Sequence, residues 1–242
     1  MIKTDFQSLF RLSAIVFSLF VLSGCAALTP VENNEPVPVT DAPGETLPDG
    51  EGWWYARFHI DWPEEAPISW YMGTLIGGEV IAPVFDEHYQ DIYIWRVHRR
   101  ASRDGGHVFS FIFYSTPQGA QRIYTAIENN VVVKSLLDSG QLTRLDVDDV
   151  TRITRPNIED TSDARWPEPV QKTWPAMIMG ASRMWLVMVS ELAAEEYATR
   201  DLDEKYRKVQ AGMTDIWQDQ GQHAMLHHLN AVYAYQPLLM RY

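Results

Sequence analysis

The sequence predicts an α+β domain, a sheet built in the order β-α-β-β-α-β with a helical extension after it. Three patterns point to this class. Alternation of apolar and polar residues, the mark of a half-buried strand, recurs at Trp53–Ile60, Asp91–His98 and His107–Tyr114. Apolar residues at helical spacing fall between the first two segments and after the third. The last third of the chain keeps to helical spacing.

The elements follow in order. Trp53–Ile60 (WWYARFHI) is aromatic-rich and alternating, hence a strand. Ile68–Val80 is predicted helical, with Gly73, Gly77 and Gly78 expected to weaken it. The strands Asp91–His98 and His107–Tyr114 are joined by a turn containing Asp104-Gly105-Gly106. Ser115-Thr116-Pro117-Gln118 places proline in a first helical turn inside a Ser-x-x-Gln pattern. Ala120, Ile123, Tyr124 and Ile127 continue that helix, Val131–Leu137 forms a second, and a short strand follows near Leu142–Val147. This is the split order of the ferredoxin-like fold. A loop rich in proline and charge spans Thr154–Pro169. Pro175–Ala194 is largely apolar, but Arg183 and Glu191 favour a buried helix over a membrane span. Asp201-Leu202-Asp203-Glu204 caps a helix with Tyr206, Val209, Met213, Ile216 and Trp217 on one face. Gly221 is expected to end it, and Gln222–Tyr233 supplies a last helix. Residues 53–150 thus form the sheet region, and 151–242 a loop and helices packing on it.

The N-terminus has a different character. Lys3 and Arg11 precede the uncharged apolar run Leu12–Leu22, which is too short for a permanent bilayer span of roughly 20 residues. It ends in Leu22-Ser23-Gly24-Cys25, which resembles the lipobox of bacterial lipoproteins. That resemblance implies that residues 1–24 are a signal peptide removed by signal peptidase II. It also implies that the Cys25 thiol carries a diacylglyceryl group and that the new amine is acylated, typically with palmitate. Two or three acyl chains suffice for stable anchoring. Lipoproteins kept in the inner membrane often have Asp after the cysteine; Ala26 stands here, so the periplasmic leaflet of the outer membrane is expected.

Residues 25–52 read as a disordered acidic tether. They contain Pro30, Pro36, Pro38, Pro43 and Pro48 and six acidic residues from Glu32 to Glu51, without Lys or Arg. Without residues 1–24 the chain would hold 18 Lys and Arg against 31 Asp and Glu, so nucleic acid is an unsuitable partner. Cys25 is the only cysteine, which excludes disulfides, thiol catalysis and Cys-ligated zinc from the remainder. The core must come from burial alone, for which nine Trp, eleven Tyr and the five Phe beyond residue 24 are available.

Alternation sorts the strands into two faces. Trp54, Ala56, Phe58, Ile60, Tyr93, Trp95, Val97, Phe109, Phe111 and Phe113 share one, a core. The other carries Arg57, His59, Arg96 and His98, with Ser110 and Tyr114 nearby. Convergent Arg and His donors suit a carboxylate or phosphate. The competing reading is that the C-terminal helices cover this face and neutralise it with their own acids. Arg99, Arg100 and Arg103 are assigned to a solvated hairpin tip, and Asp146, Asp148 and Asp149 to a solvated strand end.

His223 and His227 stand four apart on a helix, a spacing that can grip zinc, but Ala224 occupies the position where metalloproteases carry their catalytic Glu. A structural role is favoured there, with His228 expected to point elsewhere. Trp53, Trp62, Trp70 and Trp166 are candidates for stacking on sugars, with packing as the commoner alternative. No phosphate loop, dinucleotide fingerprint or nucleophile elbow occurs, so no cofactor is predicted. Ile92–Leu145 loosely resembles the small C-terminal domain of lanthipeptide and thiopeptide dehydratases, through an aromatic strand, a Gly-His, a Pro-started helix and Ser139-Gly140-x-Leu142. The resemblance implies the same topology and carries no residue role. A non-enzymatic envelope protein binding a protein or small anion is the leading expectation; a hydrolase using His59, His98, or metal at His223 and His227 is the alternative. For the anchor, Cys25→Ser is predicted to leave an unprocessed precursor without palmitate label in metabolic labelling; normal cleavage and labelling would contradict it.

Overall fold

The computed structural model describes residues 47–196 and 199–237. The signal peptide expected at residues 1–24, Cys25 and most of the expected tether lie outside the described residues. Strands β1 (Gly52–Ile60), β2 (Ile94–Ser102), β3 (Gly106–Ser115) and β4 (Leu142–Val147) form one antiparallel sheet in the order β2-β3-β1-β4. Between β1 and β2 the chain runs through α1 (Trp70–Ile76), a π-helical turn (Gly77–Ile81) and α2 (Ala82–His88). Helices α3 (Pro117–Asn129) and α4 (Val131–Asp138) connect β3 to β4. The C-terminal part holds α5 (Glu168–Glu195), α6 (Leu202–Gln220), a second π-helical segment (Gly221–His227) and the short α7 (His228–Val232).

One sheet face takes up the helices. Trp54, Phe58, Trp95, Phe109, Phe111 and Phe113 are each at most 3% exposed and pack against α1, α3, α5 and α6. Burying each such ring contributes roughly 1.5–3 kcal/mol, so this layer dominates the stability of the domain. Tyr93, expected in this layer, instead precedes β2 and is 54% exposed. The β2–β3 hairpin turns at Gly106, whose φ of +71° suits a residue without Cβ.

The glycines of the first helical stretch, where the α-helix gives way to a π-helical turn, are its contact surface. A Cβ on Gly77 would stand 2.6 Å from the Trp185 ring, and one on Gly78 would collide with the Tyr206 hydroxyl. With those Cβ atoms missing, α5 and α6 approach closely. Tyr206 then donates to Glu79 (2.7 Å), and Tyr71 donates to Asp203 (2.9 Å). Burial and the Glu79 carboxylate hold the Tyr206 phenol protonated, well above its usual range.

Two prolines inside helices are accommodated by one device. Pro83 has no N–H for the carbonyl of Glu79, four residues back, and the Asn130 side chain donates to that carbonyl (3.1 Å). Pro175 likewise leaves the Gln171 carbonyl free, and the Ser162 hydroxyl donates to it (2.7 Å). The compensated carbonyl explains why α5 starts at Glu168, seven residues before the start expected at Pro175. Gly221, expected to stop α6, keeps a right-handed helical φ of −59°, and the chain continues in π-helical form.

The polar edge of the sheet is also managed. β2 is an edge strand, and the N–H of Val97 donates to the Ser182 hydroxyl of α5 (3.1 Å), so the helix occupies a position a foreign strand would take.

Candidate functional site

The second sheet face carries cross-strand rows of polar residues. Asp146, Arg57, Ser110 and His98 are direct neighbours across β4, β1, β3 and β2. The next row toward the hairpin tip is Arg144, His59, Val108 and Arg100. The strand register therefore brings all four sequence candidates, Arg57, His59, Arg96 and His98, to one surface. Their environments differ.

Arg57 and Arg96 are engaged in the structure itself. Asp148 accepts from Arg57 (3.0 Å) and from Arg155, while both guanidinium groups lie over the Tyr55 ring, at 4.4 and 4.2 Å from its centroid. Arg96 donates to the Thr161 hydroxyl (3.0 Å) and faces Trp174 at 5.1 Å. Desolvation lowers its pKa, opposed by Tyr55. This end of the face is covered by the segment after β4, where Trp53, Ile112 and Tyr114 form a small apolar cluster with Ile158. The covering segment is thus largely a loop rather than the C-terminal helices, and the neutralising acids come from the region of β4. Asp146 and Asp148, read from sequence as a solvated strand end, are the partners of His59 and Arg57.

The hairpin end differs. His59 lies 2.8 Å from Asp146, which also accepts from Arg144 (3.0 Å), and Arg144 stands 3.3 Å from the same imidazole nitrogen. His98 and Arg100 are exposed and have no hydrogen-bond or ion-pair partner among the described residues. Desolvation, Arg144 and Arg100 lower the His59 pKa against the pull of Asp146. Desolvation, Arg96 and Arg100 lower that of His98. These imidazoles sit in a positive field with Asp146 as the adjacent carboxylate. An exposed pair such as Arg144–Asp146 contributes roughly 0.2–1 kcal/mol, and this one carboxylate is shared between Arg144 and His59. Sequence reasoning missed Arg100 and Arg144. Arg100 is in phase with Arg96 and His98, four and two residues on respectively, and that alternation is the available signal.

The other candidates separate clearly. Trp53 is buried and donates to the carbonyls of Asn157 and Ile158 (3.0 Å each). Trp62 is stacked by Arg103 at 3.7 Å, Trp166 packs edge-on against Trp174, and Trp70, 36% exposed, has Arg99 over its ring at 5.4 Å and His107 against it, so none of the four offers a free ring for a sugar. His223 and His227 lie far along the chain from the sheet residues, on the π-helical segment. Its wider turn brings His228 beside both, with ring centroids 5.4 and 5.2 Å away, where an α-helix would have pointed it elsewhere. The His223 and His227 rings stack at 30°, and among the described residues no three His, Cys, Asp or Glu side chains are placed to share a metal ion.

Comparison of the chain with family models, with curated proteins and with solved structures finds no match in any of the three.

One histidine outside the site has a consequence for stability. His107, 4% exposed, is wedged edge-on between Trp62 and Trp70, and its Nδ1 has no partner. Burial and the nearby Arg99 push its pKa down to about 4. Because the unfolded chain takes up this proton near pH 6.5, stability present above that pH is lost as pH falls toward 4. The loss from this residue is about 2–3 kcal/mol, on the scale of 1.36 kcal/mol per pKa unit. Urea unfolding between pH 7 and 4 is expected to show it, and His107→Phe to flatten the slope. An unchanged slope in the variant would contradict the assignment.

Proposed function

We propose that the chain is an envelope lipoprotein, acylated on Cys25 and held in the periplasmic leaflet of the outer membrane, whose folded domain binds an anionic group on its cationic sheet face. The observation carrying the binding reading is the set of Arg100, His98, His59 and Arg144 on one sheet face, with Asp146 beside His59 and Arg144 alone, on a chain whose net charge is −12. Cations gathered against the overall charge of a protein raise the local concentration of anions. Arg100 and Arg144 supply permanent charge, and the imidazoles supply neutral or charged donors according to pH. A carboxylate or phosphate, on a small molecule or on a partner protein, has the matching chemistry. The lipobox, the acidic tether and Ala26 support the location. The strand order β2-β3-β1-β4 and the β-α-β-β-α-β succession support a ferredoxin-like reading of the sheet.

The function is read as binding rather than catalysis. Ser110 and His98 are cross-strand neighbours, the arrangement a hydrolase would need, but the hydrogen bonds of the described residues include none between them. The His223–His227 pair offers the other route to hydrolysis, through a metal, and lacks a convergent third ligand among the described residues.

The test is calorimetric titration of the full chain with inorganic phosphate and with citrate. Binding of one of them is expected, with Arg100→Gln and Arg144→Gln each weakening it roughly tenfold, or about 1.4 kcal/mol. Failure of both anions to bind, or binding indifferent to both substitutions, would overturn the reading.

A further inference from the structure

The C-terminal helices carry a second surface, independent of the cationic face. α5 is long and apolar enough to cross a membrane by length and composition, a test that buried core helices also pass, yet only 22% of its most apolar window is buried. Between α5 and α6 lies a cavity of about 480 Å³, lined by Met184, Met188, Met213, Ile216, Trp217 and Met225 among others. Met184 is 42% exposed and Trp217 56%. Of the polar groups of this wall, Gln210 and Thr214 are satisfied by neighbours, while the buried Trp185 indole N–H has no partner among the described residues. Gln210 donates to Thr214 (3.1 Å) and accepts from Arg99 (2.8 Å), and the Thr214 hydroxyl donates to the Gln210 carbonyl (2.9 Å). No charged side chain lines the cavity, so nothing in it would hold a nucleotide phosphate or a free acid.

Charge does appear at one end. Glu191 and Glu195 continue the helical row of Met184 and Met188 at seven-residue spacing, are exposed, and form no ion pair among the described residues. The lysines at the start of α6 are paired elsewhere, Lys205 with Glu79 and Lys208 with Glu196 and Glu204.

We propose that this groove receives the apolar face of an amphipathic helix from a partner protein, with Lys or Arg beyond its last apolar anchor meeting Glu191 and Glu195. A helix satisfies its own backbone, so it can enter an apolar groove with only side chains to match. Methionine walls suit such a guest, because their unbranched thioethers repack around different anchors. The acidic end sets its direction.

The test uses the full chain in lipid nanodiscs, with empty nanodiscs as blank, and a fluorescent 18-residue leucine–lysine helix whose lysines extend past one end. A second peptide has the same leucine face and glutamates in place of lysines. The lysine peptide is expected to bind at least tenfold more tightly than the glutamate peptide. Met184→Glu, a change at an exposed position with the fold checked by circular dichroism, is expected to abolish binding. Glu191→Gln with Glu195→Gln is expected to weaken it at least fivefold. Equal binding of both peptides, binding indifferent to Met184→Glu, or no binding would overturn the proposal. So would a dimer of this chain that Met184→Glu dissociates, or displacement of the peptide by palmitate, since each would assign the groove to a different occupant.

Discussion

Burial of the aromatic face of the sheet is the interaction on which the rest of the domain depends. β1 and β3, the two central strands, place Trp54, Phe58, Phe109, Phe111 and Phe113 on one side, and the major helices pack there. A four-stranded sheet has only two faces, so committing the helices to one leaves the other to be covered by loops or left to solvent. At the Trp53 and Tyr114 end the segment after β4 covers it. At the hairpin end it stays polar, and the strand register collects cations from β1, β2 and β4. The site is thus a consequence of an unequal division of helices between faces, combined with period-two alternation.

The same economy operates within the helical layer. Gly77 and Gly78 trade helix propensity for the approach of Trp185 and Tyr206. Each interior proline frees a carbonyl, and a side chain from another segment, Asn130 or Ser162, donates to it. These contacts join α2 to the start of α4, and α5 to the loop before it. They are specific where the aromatic layer is merely apolar, and they fix where each helix sits. Because α6 is used up in docking on α1 while the outer side of α5 is uncovered, the layer ends in an apolar groove rather than a finished surface.

How much of this was legible in the sequence depends on the range of the interaction involved. Alternation is a local signal, and it located β1, β3 and β4 to within a residue or so and put Arg57, His59, Arg96 and His98 on one face. It could not say that Arg57 is committed to Asp148 and Tyr55, because those contacts depend on strand order. Tyr93 was misplaced because the chain leaves a short 3₁₀ turn at Asp91 and enters β2 only at Ile94. Pro175 and Gly221 were read by their usual local meaning as helix boundaries. Ser162 overrides the first from nine residues away from the carbonyl it satisfies, and right-handed π-helical continuation overrides the second. His228 was misassigned for a related reason, since an α-helical period was applied to a π-helical segment.

The central claim is that His59, beside Asp146, and His98, with no acidic partner among the described residues, are partly desolvated among cations and take up an anion. The most direct measurement is an NMR titration of the histidine ring resonances, without added anion and then with inorganic phosphate or citrate. Both pKa values should lie below the ordinary 6.5 in the free protein and rise when one of the anions is present. Values at or above 6.5 in the free protein, or values that no anion moves while His223 and His227 respond equally, would contradict the account.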